Sequence, residues 1–127
     1  MIDKLFLEDY GMPIEITPET IIDFPDTPAE FPKGSSAMKE FIRKTVNYPV
    51  TALRDKQEGK VYLSFIIELD GSISNVKLLR GVCQSIDKEA KRVVRNMPNW
   101  STGTYKGHGV RTRCRIPITF VLTVSDD

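Results

Sequence analysis

Residues 60–81 read KVYLSFIIELDGSISNVKLLRG, two runs of alternating apolar and polar residues joined at Asp70–Gly71. Alternation with a period of two is the mark of a strand with one buried face. An Asp-Gly pair between two such runs predicts a hairpin closed by a two-residue type I′ turn, whose central positions both need positive φ. That turn sets Leu69 against Ser72, Phe65 against Val76 and Leu63 against Leu78. One face then gathers Val61, Leu63, Phe65, Ile67, Val76 and Leu78. A slip of one residue would send all of them to the other side, so this face must carry the core. The opposite face mixes Tyr62, Ile66, Ile73 and Leu79 with Ser64, Glu68, Asn75 and Lys77. Half apolar, it is either wet with scattered hydrophobes or covered by a partner.

The core face needs helices, and two segments supply them. SSAMKEFIRKTV (35–46) brings Met38, Phe41, Ile42, Thr45 and Val46 to one side at helical spacing. Ser35 or Ser36 is its expected N-cap, and Pro49 ends the pattern at Asn47–Tyr48 by excluding Tyr48 from helical geometry. Pro49 can then open a short further turn through VTALRDK. SIDKEAKRVVRNM (85–97) forms a second stripe from Ile86, Ala90, Val93, Val94 and Met97, with Ser85 as the expected cap. Pro98 stops that helix. Trp100, the only tryptophan, is expected to anchor the return of the chain under the sheet.

A third strand follows in GVRTRCRIPITFVLTV (109–124), with Cys114, Ile116, Ile118, Phe120 and Leu122 on one side and Arg111, Arg113 and Arg115 on the other. Proline cannot donate to a ladder, so Pro117 predicts an edge strand with its missing amide turned outward. The fold class expected is α+β: a three-stranded antiparallel sheet in the order 2-1-3, with two helices on one face. That order sets Cys83 and Cys114 two strand spacings apart, about 9.5 Å, which is beyond disulfide reach. Both are expected to be free thiols, Cys114 as a small buried hydrophobe.

The net charge of +1 conceals a division. Residues 1–32 hold eight acids against Lys4, whereas the remainder holds 17 basic and 9 acidic residues. Five of the eight prolines also precede residue 33. Such sequence resists packing, so residues 1–30 are expected to form an acidic arm or linker and residues 31–125 the domain. The clusters LFL and IIDF leave a second course open, folding back on the basic body or covering the half-apolar sheet face. No apolar run approaches the ~20 residues needed to cross a bilayer. MIDKLFLEDYG carries acids where a signal peptide needs a basic stretch, so the chain as written is expected to be soluble without an export signal.

Chemistry is hard to find. Two cysteines and one histidine are too few for a zinc site. Cys83 and His108 could form a thiol–imidazole couple, but both sit in loops where simpler roles suffice. KGSS and STGTYKGHG lack the spacing of a phosphate-binding loop. No cofactor and no enzymatic activity are expected. Arg111, Arg113 and Arg115, with Tyr62 and Tyr105, invite a nucleic-acid reading. Charges on an edge strand also have a plainer use, discouraging aggregation. The feature that the fold reading itself produces is an open strand edge on which a peptide can add a strand.

The segments EFPKGSSAMKEFI, NYPVTA, GKVYLSFIIELDGSISNVKLLRG, IDKEAKRVVRNMPNW, YKGHGV and RIPITFVL, in this order, resemble the C-terminal domain of TonB-type energy transducers in the versions common in Bacteroidetes. The resemblance runs from Phe31 to Leu122. It implies a periplasmic interaction module, tethered to the inner membrane through a proline-rich linker and an anchor helix in the full-length context. Its partners would be outer-membrane transporters, whose TonB box peptide adds to the last strand, and ExbB and ExbD through the anchor. It implies partner contacts at Thr45, Asn47, Tyr48 and Pro49 and along Arg113, Arg115, Pro117, Thr119 and Val121. Prototypical members carry glutamines in the first of these stretches, from which Thr45 and Asn47 differ. The alternatives are a free-standing scaffold or homodimer of the same fold, cytoplasmic if the chain is complete as given, and nucleic-acid binding through the arginine stripe.

Overall fold

A computed structural model of the chain describes residues 3–7 and 12–122. Ten elements follow in order: β1 (Asp3–Leu7), β2 (Met12–Ile16), β3 (Ile21–Ile22), α1 (Ser35–Thr45), α2 (Val50–Arg54), β4 (Gly59–Ile67), β5 (Ile73–Arg80), α3 (Gln84–Arg95), β6 (Gly103–Tyr105) and β7 (His108–Phe120). The β1 and β2 strands make a separate antiparallel pair.

The alternation in β4 is realised in full, with Val61, Leu63, Phe65 and Ile67 no more than 1% exposed. Leu63 faces Leu78 as expected, yet the turn differs. The Gly71 amide donates to Glu68 O at 2.9 Å and the Glu68 amide to Ser72 O at 2.8 Å. This is a three-residue loop over Leu69–Gly71 with Gly71 at φ +88° and Asp70 on the ordinary side, not a two-residue type I′ turn. The Asp70 carboxylate decides it by accepting from the Ser72 amide at 2.9 Å and the Ser72 hydroxyl at 2.6 Å, an Asx-type turn. Ser72 therefore faces Glu68 rather than Leu69, and β5 recovers the expected register through an irregularity between Ser64 and Ile66 on β4. Asn75, at φ +50°, lies opposite that shift.

The helices pack on this face unequally. Ile86, Ala90, Val93 and Val94 of α3 are buried, whereas α1 buries no residue fully. A fully buried aliphatic side chain contributes about 1.5–3 kcal/mol, so α3 is the helix that holds the core and α1 the one most easily detached. Neither helix uses the serine caps expected. Gly34 precedes α1, and Cys83 precedes α3, in each case without a side-chain cap bond. In α3 the Asp87 carboxylate instead accepts from the Val82 amide at 2.8 Å. Trp100 does close the end of the sandwich, with its ring edge-on to Phe65 (5.4 Å) and Phe31 (5.8 Å).

The sheet is larger than expected. Its order is β3-β7-β4-β5, with β6 pairing to β7 as a fifth strand. The three-strand order 2-1-3 survives inside it as β5-β4-β7, but β3 runs parallel to β7, so the sheet is mixed and not purely antiparallel. There are three helices among the described residues and not two. The IIDF cluster accounts for the extra strand, because Ile21 and Ile22 pair with Arg111 and Thr112. The LFL cluster falls in β1, where only the backbone is described. On the face away from the helices, Ser64 and Ile66 are buried while Tyr62 and Leu79 are exposed.

Candidate functional site

Pro117 is aligned with Tyr62 across the β4–β7 ladder. Without an amide hydrogen it cannot exchange bonds with Tyr62, so the ladder must close through the flanking pairs Val61–Ile118 and Leu63–Ile116. By the same alternation, the main-chain groups of Arg115, Pro117 and Thr119 point away from β4. These three residues are exposed, and among the described residues no strand pairs with them on that side. The edge therefore offers two amides and three carbonyls to a strand laid along it.

The edge is open over only part of its length. β3 takes the stretch at Arg111 and Thr112. Beyond it, Asp23 receives Arg113 at 2.9 Å and Arg115 at 3.5 Å, and the carbonyl of Glu19 accepts from Arg111 at 3.0 Å. Arg111 also forms an ion pair with Glu68 at 2.7 Å, whose carboxyl the guanidinium and the Ser74 hydroxyl hold below its ordinary value. All three arginines of the stripe thus have protein partners. An arginine already matched to a carboxylate is a poor phosphate ligand, which weakens the nucleic-acid reading.

The second group of expected site residues lies where α1 gives way to α2. The carbonyl of Thr45 accepts from Arg92 at 2.7 Å, and the amide of Asn47 donates to Glu89 at 2.6 Å. Glu89 and Arg92 are paired with each other at 2.7 Å, which holds the Glu89 carboxyl below its usual range. The Tyr48 hydroxyl donates to the carbonyl of Gln57, and its ring stands edge-on to Phe120 at 5.6 Å. Burial, reinforced by the charge of Glu58, pushes the Tyr48 phenol up, so at neutral pH it stays a donor. Pro49 precedes α2 and, with Asn47, Tyr48 and Val50, faces Lys88, Glu89, Arg92 and Arg95 of α3 across a groove of about 590 Å³.

The Tyr48–Phe120 contact joins the two groups, because Phe120 ends β7 just beyond Thr119. Val121 follows as an exposed apolar residue. Arg113 lies apart from the open stretch, committed to Asp23. Sequence reasoning missed Asp23, Glu89 and Arg92 as supports of these groups. All three act across 40 or more residues, and only the Glu89–Arg92 spacing of three on a helix hinted at a pair.

Cys83 and His108 do not form a couple. Val82 packs beside Gly59, which pairs with Phe120, so Cys83 lies at one end of β7 and His108 at the other. At ~3.3 Å per residue the strand separates them by roughly 40 Å. Both cysteines are free thiols, and Cys114, half-buried against the core, has its pKa pushed up to about 11 by burial.

Residues 44–122 match the family described as Gram-negative bacterial TonB protein C-terminal, a span that includes Thr45–Pro49 and all of β7 but not Glu19 or Asp23. Two NMR solution structures of the Helicobacter pylori TonB C-terminal domain share the fold. That of its residues 179–285 has a TM-score of 0.52 at 22% identity, covering 69% of this chain and 79% of that one. That of residues 194–285 has a TM-score of 0.52 at 23% identity, covering 72% and 99%. No curated protein matches the chain.

Proposed function

The chain belongs to the family of Gram-negative bacterial TonB protein C-terminal domains, and from that membership we propose that it is the partner-binding module of a TonB-type energy transducer. It captures an extended peptide, the TonB box of an outer-membrane transporter, as a strand added along Arg115–Thr119 of β7. The observation that supports this reading is the edge at Arg115–Thr119, unpaired among the described residues, toward which Pro117 turns its amide-free side. The Tyr48 ring meets Phe120 at the end of that edge, and in this reading Tyr48, with its chain neighbours Asn47 and Pro49, contacts the flank of a bound peptide.

The energetics suit a reversible grip. Each main-chain bond contributes about 0.5–1.5 kcal/mol net. Ordering a flexible peptide costs about 1–2 kcal/mol per residue. Main-chain bonds alone therefore leave little surplus, and side-chain contacts at the two ends must supply the rest. In this reading the domain works in the periplasm, and the pull it transmits arrives from ExbB and ExbD. Binding and mechanical coupling suffice, so no catalytic step is assigned.

The test is an NMR titration of the chain with synthetic N-terminal peptides of TonB-dependent transporters. Saturable amide shifts concentrated in residues 115–122 are expected. A complete set of such peptides that leaves those amides unmoved at millimolar concentration would overturn the proposal.

A further inference from the structure

Part of the peptide edge is already occupied by the chain itself. Ile21 and Ile22 lie parallel to Arg111 and Thr112 as a two-residue strand. Before them the Glu19 carbonyl accepts from Arg111, and after them the Asp23 carboxylate bridges Arg113 and Arg115. This is the manner in which an external peptide would add to β7: a short β-branched run bound through its backbone, followed by an acid placed between two guanidinium groups.

Had β3 continued in register, residues 23–28 would lie along residues 113–118. Pro25 and Pro28 prevent this. Proline has no amide to give, and after Asp23 the chain turns away to exchange main-chain bonds between Thr27 and Thr104 of β6, so the strand stops at Ile22. Phe24 leaves the sheet 85% exposed and anchors nothing. The hold of the segment is also weak. A two-residue strand is shorter than almost any that stands alone, and the Asp23 pairs are solvent-screened, with Arg113 38% and Arg115 48% exposed. What favours the segment is its tether, which keeps it at an effective concentration on the order of millimolar.

We infer that Glu19–Asp23 is a built-in competitor for the peptide edge of β7, displaced by peptides that present β-branched apolar residues followed by a carboxylate able to take over Arg113 and Arg115. This rests on the reading of β7 as a peptide-binding edge. A proline-free peptide can run on from Arg111 to Thr119, gaining the stretch that the arm's own prolines deny it.

The experiment uses the full chain and a capped synthetic hexapeptide of residues 19–24, ETIIDF. Ile22→Pro removes the tethered strand, and Asp23→Arg sets like charges against Arg113 and Arg115. An unchanged Trp100 emission maximum checks that each variant is folded. Expected is hexapeptide binding at least about tenfold tighter to either variant than to the parent chain, with shifts concentrated in residues 109–115. Replacing the peptide's Asp23 equivalent by Asn should weaken it at least about threefold. Equal affinity for parent and variants, equal affinity of the Asn peptide, or no binding to either variant would each overturn the inference. A transporter peptide that binds parent and variants equally would leave the edge reading intact and remove the competitor alone.

Discussion

The amide of Trp100 donates to the carbonyl of Gly71 at 2.8 Å, and the carbonyl of Trp100 occupies the space that a Cβ on Gly71 would need. The hairpin turn and the chain reversal after α3 are thereby locked to each other. Gly71→Ala pays for a left-handed backbone, about 1–2 kcal/mol, and disturbs a hydrogen bond that contributes about 0.5–1.5 kcal/mol. A loss of about 1.5–3.5 kcal/mol in urea unfolding is expected on that basis. Gly107→Ala is the control, because Gly107 shares a positive φ (+81°) but has nothing within 4 Å of the added methyl. It should cost only the backbone strain, and equal losses at the two sites would contradict the account.

Trp100→Ala vacates the space between Phe31 and Phe65 and should cost about 3–5 kcal/mol. The buried indole Nε1 has no hydrogen-bond partner among the described residues, so Trp100→Phe should lose volume without orphaning a polar contact. It should fall clearly below the alanine variant in cost, as read by the same urea transitions.

Strand β7 has a strict inside and outside. Ile118 is buried in the core and Arg113 points to the opposite face. Ile118→Asp places an unpaired carboxylate among Val61, Leu63 and Phe120 and should leave the chain unfolded by circular dichroism. Arg113→Glu should remain folded, with the arm released from its ion pair. A stable, native-like Ile118→Asp protein would reverse the assignment of faces.

The Glu89–Arg92 pair ties α3 to the end of α1 through Thr45 and Asn47. Because hydrogen bonds from Arg92 lower the folded pKa of Glu89, its contribution is fully present above the unfolded carboxylate value of about 4.3. It is lost as pH falls below that value and through the folded pKa. Glu89→Gln should therefore cost about 1.5–3 kcal/mol at pH 6–7. The difference from the parent chain should shrink steadily below about pH 4. A gap that stays constant down to pH 2.5 would exclude this linkage.

With its pKa near 11, Cys114 holds few thiolates at pH 8. Compared with an ordinary thiol of pKa about 8.5, the thiolate fraction is lower by roughly two-hundredfold. In a Cys83→Ser chain, iodoacetamide should modify Cys114 slowly when native and rapidly in denaturant. Native modification at the rate of a free thiol would show that Cys114 is not shielded.

How far the sequence foretold this architecture depended on the range of each interaction. The β4–β5 hairpin, the α3 stripe and the two faces of β7 were legible because their periodicity is local. Pro117 even indicated which side of β7 faces outward, since a missing amide constrains a ladder wherever it occurs. The type I′ turn was a misreading of Asp70–Gly71, because the same dipeptide serves a three-residue loop once Asp70 can hold Ser72. The serine caps failed for a similar reason, as Asp87 reached back to Val82 and made Ser85 unnecessary. The β3 strand was visible only as an apolar cluster with two open courses. Two residues carry no period, and the partners of Asp23 lie 90 or more positions away.

Hydrogen exchange of single amides along β7 tests peptide capture most directly. Cys114, Ile116 and Ile118 bond to β4 and should exchange slowly whether or not a transporter peptide is bound. Arg115 and Thr119 should exchange fast in the free chain and become protected when the peptide saturates. Protection of those two amides before any peptide is added, or none at saturation, would contradict strand addition at this edge.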